Sequence, residues 1–79
     1  MNVNEIIIKE PEICFGKPYI KGTRIKVSFI LELLSSGWTI ERILEEYEHL
    51  TREQIIACLI YASNIIDKCR ENVEISDGL

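Results

Sequence analysis

The chain has few of the residues from which enzyme active sites and metal centres are usually built. Its 79 residues include a single histidine, His49, and three cysteines with no C-x-x-C pair. A histidine-based metal site or general base would depend on His49 alone, and no nucleophile or ligand spacing lies beside it. No Gly-Lys-Ser/Thr sequence opens a helix, as a phosphate-binding loop requires. We therefore predict a protein that is not an enzyme, with no catalytic, cofactor-binding or metal-binding residues.

The cysteine count and the lack of long apolar runs indicate the compartment. Disulfide frameworks favour even cysteine counts in secreted chains, so Cys14, Cys58 and Cys69 are interpreted as small hydrophobic residues in a reducing cytosol. No run approaches the roughly 18 apolar residues of a membrane span, and no signal-peptide pattern opens the chain. We expect a cytoplasmic protein with no membrane partner.

Net positive charge is also lacking. The formal net charge is −4 and the pI is about 4.9, which argues against strong non-specific nucleic-acid binding because that affinity comes from neutralising phosphates. A locally basic face remains open. The apolar content of 47% argues against disorder, and the length predicts one domain.

The positive charge that is present is concentrated in one stretch, residues 16–26. Its cations are Lys17, Lys21, Arg24 and Lys26, and it contains no acid. Gly16 and Gly22 permit positive φ angles, so turns are expected there. Two interpretations remain open: the cations bind nucleic-acid phosphates, or the lysines protect a solvated strand edge while Arg24 holds a carboxylate such as Glu32. We call residues 16–26 the basic segment.

Residues upstream of the basic segment predict a small β ribbon. Residues 3–9 include three consecutive isoleucines, which is typical of a strand. The local pairing candidates are residues 13–15 and 19–20. Since a sheet of two or three strands is marginal alone, we expect the ribbon to pack on helices or to pair with a second chain.

Three helices are predicted after the ribbon. The first covers residues 27–36 with Gly37 just past its end, and it is apolar nearly all round. A helix of that kind is buried on most faces, which a small domain achieves most simply through a subunit interface. The fold class is therefore mainly α with a small N-terminal β ribbon, in a homodimer.

The second and third helices have strong start signals. Thr39 is the predicted N-cap of the second helix, and Thr51 with Gln54 predicts a capping box for the third. The third helix is expected to run to about residue 70, with a core stripe of Ile55, Leu59, Ala62 and Ile66.

This pair of helices matches the outline of a helix-turn-helix, whose second helix enters the major groove. Arg52 and Gln54 are the candidate base-contacting residues, although Gln54 is also needed by the capping box. The alternative is a helix that packs only against the core and a second subunit.

The remaining residues, 71–79, predict a frayed tail. Val73 and Ile75 alternate with an acid, so the tail could add as an extended strand to a partner protein, with Arg70 beside it. The alternative is a disordered terminus. The predicted organisation is thus one domain, with the ribbon and basic segment in 1–26, three helices in 27–70 and a tail in 71–79.

One family resemblance covers most of the chain, roughly residues 6–62. Residues 16–25 read G-K-P-Y-I-K-G-T-R-I and resemble the signature G-K-P-x-I-x-G-T-R-I of a prokaryotic family, domain of unknown function four-three-three. Residues 36–47 and 50–55 resemble its second block. Lys26 and Glu48 stand where the family usually has proline, which loosens two helix starts.

The resemblance implies a helix-turn-helix-like dimer, often the antitoxin of a pair whose toxin is a PIN-type nuclease. The first hypothesis is accordingly an antitoxin-like module that neutralises such a toxin and binds its own operator DNA through the basic segment. A stand-alone DNA-binding regulator and a purely structural interaction domain are the alternatives.

Overall fold

The computed structural model describes the backbone of residues 1–70 and the side chains of residues 1–68. A single helical turn, α1 (Val3–Ile6), leads into β1 (Ile7–Ile8), and β2 (Tyr19–Ile20) follows after a 3₁₀ turn at Cys14–Gly16. Three longer helices complete this part of the chain. They are α2 (Val27–Ser35), α3 (Ile40–Glu46) and α4 (Arg52–Arg70). The protein is thus mainly helical with a two-stranded antiparallel sheet.

The ribbon is shorter than the sequence predicts. β1 pairs with β2 in the register Ile7↔Ile20 and Ile8↔Tyr19, which confirms one of the two predicted pairings. The predicted strand over residues 3–9 is wrong in its first half, because the Asn2 side chain accepts a hydrogen bond from the Asn4 N–H and starts a helical turn. The predicted strand over 13–15 is also wrong.

The backbone fixes both the beginning and the end of α2. Gly37 has φ +99° just past the helix, as predicted for a residue that ends a helix in the left-handed region. Lys26 precedes the helix without a side-chain cap. The Val27 N–H instead donates to the Pro18 carbonyl oxygen at 3.0 Å, so the strand region provides the acceptor that the helix start requires.

The predicted starts of α3 and α4 are confirmed. The Arg42 N–H donates to Thr39 Oγ1 at 3.0 Å. At α4, the Gln54 N–H donates to Thr51 Oγ1 and the Thr51 N–H donates to Gln54 Oε1, which is a complete capping box. Leu50 and Ile55, placed on either side of this box, are both buried in the core.

The core joins the ribbon to all three longer helices. Its fully buried large side chains are Ile20, Ile30, Ile43, Ile55 and Cys58. An aromatic group lies at the corner between α2 and α3, where the Phe29 and Tyr47 ring centroids are 5.8 Å apart, edge to face. Trp38 lies beside Tyr47, and the Arg42 guanidinium is 3.9 Å from the Trp38 ring centroid.

α2 itself is less covered than its composition suggests. Val27 and Ile30 are buried, while Phe29, Leu31, Leu33 and Leu34 are half-buried and pack against the core. Within one chain, these apolar side chains therefore bury part of their surface against the domain's own core.

Candidate functional site

The basic segment forms a hydrogen-bonded hairpin. The Ile20 N–H donates to the Ile25 carbonyl oxygen at 2.9 Å, and the Thr23 N–H donates to the Ile20 carbonyl oxygen at 3.0 Å. Gly22 has φ +85° at the third position of this turn, a conformation that favours glycine. The Thr23 hydroxyl donates to the Ile20 carbonyl oxygen at 2.8 Å and accepts from the Ile25 N–H at 2.9 Å.

This hairpin directs its cations outward. Lys17, Lys21 and Arg24 are exposed and Lys26 is half-buried. Among residues 1–68, none of these four side chains makes a hydrogen bond or an ion pair. The pairing of Arg24 with Glu32 that the sequence left open is therefore not made, and the positive charge is free to meet an external anion.

The two predicted base-contacting residues on α4 are already engaged. Arg52 Nη2 lies 2.7 Å from Glu41 Oε2, and this hydrogen bond lowers the pKa of the Glu41 carboxyl. Gln54 Oε1 accepts the Thr51 N–H of the capping box. Reading a base with either side chain would require breaking these contacts, so DNA contact by Arg52 and Gln54 stays a prediction.

The second half of α4 is apolar and uncovered. Leu59 is 40% exposed and Ile66 57%, so the predicted core stripe is wrong at these two positions, while Ala62 is half-buried. Ile65, beside the stripe, is 44% exposed. Apolar residues continue at helical spacing along α4, but the helix extends beyond the elements that pack against its beginning. Within the described residues, Ile65 and Ile66 are therefore left exposed at this end of the helix.

A groove of 440 Å³ lies along this part of α4. Val27 and Leu31 of α2 line one side, and Tyr61, Ala62, Ile65 and Ile66 of α4 line the other. Lys17 and Lys26 also line it. The groove is therefore an apolar surface bordered by two of the free cations.

Three other predictions concern Cys58, His49 and metal binding. Cys58 is fully buried, and burial raises the pKa of its thiol to about 11, so the thiol is protonated at neutral pH. His49 is exposed between α3 and α4. The described residues contain no group of three or more side chains suited to hold a metal ion.

Two of the predicted partner-binding residues, Val73 and Ile75, lie outside the described residues. For Arg70 only the backbone, at the end of α4, is described. In the part of the chain that is described, no helix combines the length and apolar character needed to cross a membrane.

One residue with an unusual setting was missed by the sequence reasoning. Phe15 is 92% exposed and has φ +57°. The sequence carried a signal, since an aromatic residue directly precedes the glycine that opens the basic segment. The β-propensity of Phe favoured a strand instead.

A family match covers the ribbon, the basic hairpin and the start of α4. Residues 7–62 match the family described as a protein of unknown function, DUF433. The chain belongs to DUF433. The match includes the whole basic segment and ends before Ile65 and Ile66, so the most exposed part of α4 lies beyond it.

Individual relatives agree with this membership. The chain is 36% identical over 58 residues to uncharacterized protein y4eO of Sinorhizobium fredii, and the match covers 73% of this chain but 26% of that protein. The chain thus spans about a quarter of that relative. A crystal structure of a DUF433 member from Anabaena variabilis superposes with a TM-score of 0.75 at 24% identity. It covers 89% of this chain and 69% of the other, and it supports the fold.

Proposed function

We propose that this DUF433 protein is an antitoxin-like binding module that acts as a homodimer and neutralises a nuclease toxin of the PIN type. The uncovered apolar surface of α4 carries this proposal, because contiguous exposed apolar surface marks protein interaction sites. The nuclease partner comes from the family resemblance of the signature and of the second block.

A second copy of the chain fits the apolar surface for a geometric reason. Leu59, Ala62 and Ile66 recur at intervals of three and four residues, the spacing at which two helices pack along a seam. Two copies of α4 related by a twofold axis would each present the same stripe to the other. The groove beside Ile65 and Ile66 would then receive side chains of the second copy.

Replacing Ile66 with glutamate tests the homodimer. Ile66 is 57% exposed, so a single chain tolerates the charge, whereas a dimer would have to bury it unpaired. We expect the dimer dissociation constant to rise about 5- to 150-fold, since leaving a buried polar group unsatisfied costs about 1–3 kcal/mol. Analytical ultracentrifugation over a range of concentrations measures this change.

Asn64→Glu is the matched control. Asn64 is also exposed and lies on α4 within the same turn, but its side chain points away from the stripe, so the dimer should persist. A wild-type chain that sediments as a monomer at every concentration would contradict the homodimer.

The antitoxin role is tested with the native host's neighbouring gene. Co-expression with the adjacent open reading frame is expected to give a complex that co-purifies, and the complex should cleave RNA more slowly than the partner alone. A toxic nuclease that the chain neither binds nor inhibits would contradict this role. The absence of a nuclease both among the adjacent genes and in a native-host pull-down would contradict it as well.

DNA binding by the basic segment is the second candidate function. The supporting observation is the exposed side chains of Lys17, Lys21 and Arg24, which have no partner among residues 1–68. In a homodimer the four cations of the basic segment would supply eight positive charges. These are enough to bind the phosphates of an operator despite the net charge of −4 on each chain.

Arg24→Ala should weaken binding to the protein's own promoter DNA. Removal of one phosphate contact reduces the slope of log K against log salt by about 0.9, and a dimer loses two. Arg42→Ala is the matched control, because it removes the same charge from a side chain on α3, outside the basic segment, that lies over the Trp38 ring. Fluorescence anisotropy in a salt titration measures both variants. No binding of promoter DNA at low salt would refute this candidate.

A further inference from the structure

Phe15 lies in an unusual backbone turn. Cys14, Phe15 and Gly16 have φ angles of +52°, +57° and +76°, so three consecutive residues occupy the left-handed region. Glycine adopts this region freely, but residues with a Cβ do so against a steric penalty. Strain of this kind gathers at functional sites and persists where the surrounding structure enforces it.

Two backbone hydrogen bonds close this turn, and one side-chain contact joins it to the basic hairpin. The Gly16 N–H donates to the Ile13 carbonyl oxygen and the Lys17 N–H to the Cys14 carbonyl oxygen, each at 3.0 Å. Cys14 Sγ lies 3.5 Å from the Arg24 carbonyl oxygen. The turn therefore places the Phe15 backbone next to the Arg24 end of the basic hairpin.

The ring contributes little to the fold that contains it. With 92% of its surface exposed, Phe15 buries almost no apolar area, and its backbone conformation would suit glycine better. The exposed ring is therefore accessible to a molecule outside the described residues. An aromatic ring beside unpaired cations has the two elements that bind unstacked nucleotides, a stacking face and phosphate ligands.

We infer that Phe15 is a stacking platform for an unpaired nucleobase, while Lys17, Lys21 and Arg24 hold the flanking phosphates. This inference rests on the second candidate function, DNA binding by the basic segment. Phe15 has no hydrogen-bonding group with which to read a base edge. It therefore acts on a base face, which is accessible where a base is unpaired or a base step is opened.

The test compares two DNA probes, a paired duplex and the same duplex with one unpaired 2-aminopurine. The wild-type protein should bind the second probe about 5- to 150-fold more tightly and quench its fluorescence, because 2-aminopurine is quenched when it stacks. Phe15→Gly should lose both the preference and the quenching while keeping its affinity for the paired duplex. Phe15→Tyr, which keeps a ring, should retain both.

The outcomes separate this inference from the function on which it rests. Equal binding of the two probes by the wild type, without quenching, overturns the stacking role and leaves phosphate binding in place. Binding of neither probe overturns both. If Phe15→Gly instead weakens only the complex with a protein partner, the ring fills a protein pocket and the inference is wrong. Circular dichroism of each variant confirms that it is folded.

Discussion

Ile55→Ala is expected to lower the free energy of unfolding by about 2–5 kcal/mol. Ile55 is fully buried at the start of α4, beneath the capping box formed by Thr51 and Gln54. Truncation removes apolar burial and leaves a cavity among side chains that include Ile43 of the same core. In so small a domain, that loss is a large share of the total stability. Urea denaturation followed by circular dichroism measures it.

Leu59→Ala is the matched control for Ile55→Ala. Leu59 lies one turn later on the same stripe of α4 but is 40% exposed. In a single chain its truncation should cost less than about 1 kcal/mol, because less apolar area returns to water. A larger cost that grows with protein concentration would indicate coverage by a second chain. Equal costs for the two variants at every concentration would contradict the described end of the core.

Thr23→Val should destabilise the protein by about 1–3 kcal/mol. Valine has a similar shape but lacks the hydroxyl that donates to the Ile20 carbonyl oxygen and accepts from the Ile25 N–H. The Ile25 N–H would lose its acceptor in a half-buried position. Thermal unfolding should therefore show a lower midpoint, and loss of the hairpin should also disorder Lys21 and Arg24.

Thr23→Ser separates the hydroxyl from the methyl group. Serine retains both hydrogen bonds, so its stability should lie close to that of the wild type. If valine and serine destabilise equally, the hydroxyl is not what holds the turn, and the methyl packing accounts for the loss.

The parts of the fold that the sequence predicted well are those set by local chemistry. Thr39, the Thr51–Gln54 box and Gly37 fixed the helix boundaries, since each acts through hydrogen bonds or φ angles within a few residues. The pairing of residues 19–20 with β1 was also predicted. The resemblance to DUF433 came from residues 16–25 and the second block, and the family match over residues 7–62 confirms it.

The errors have two causes: local turns that strand-like residue types outweighed, and packing limits that periodicity does not report. Residues 3–5 have strand-like neighbours, but the Asn2 cap draws them into a helical turn. The stripe on α4 has one period from Ile55 to Ile66, and periodicity alone does not say where the covering elements end. Phe15 lies in a left-handed backbone turn that its residue type disfavours, and its ring is exposed.

The candidate site was also predictable from the sequence only in part. The positive charge of Lys17, Lys21 and Arg24 could be read directly, but the absence of a partner for Arg24 within residues 1–68 needed the folded geometry. The engagement of Arg52 by Glu41 spans two helices and has no local signature in the sequence.

Trp38 gives the protein a built-in optical probe. It is the single tryptophan, and its ring lies 3.9 Å from the Arg42 guanidinium and 6.5 Å from the Tyr47 ring. Indole emission excited at the red edge of the absorption band therefore originates at one location, the corner between α2 and α3. A spectral shift on adding a ligand would report rearrangement of that corner without any engineered label.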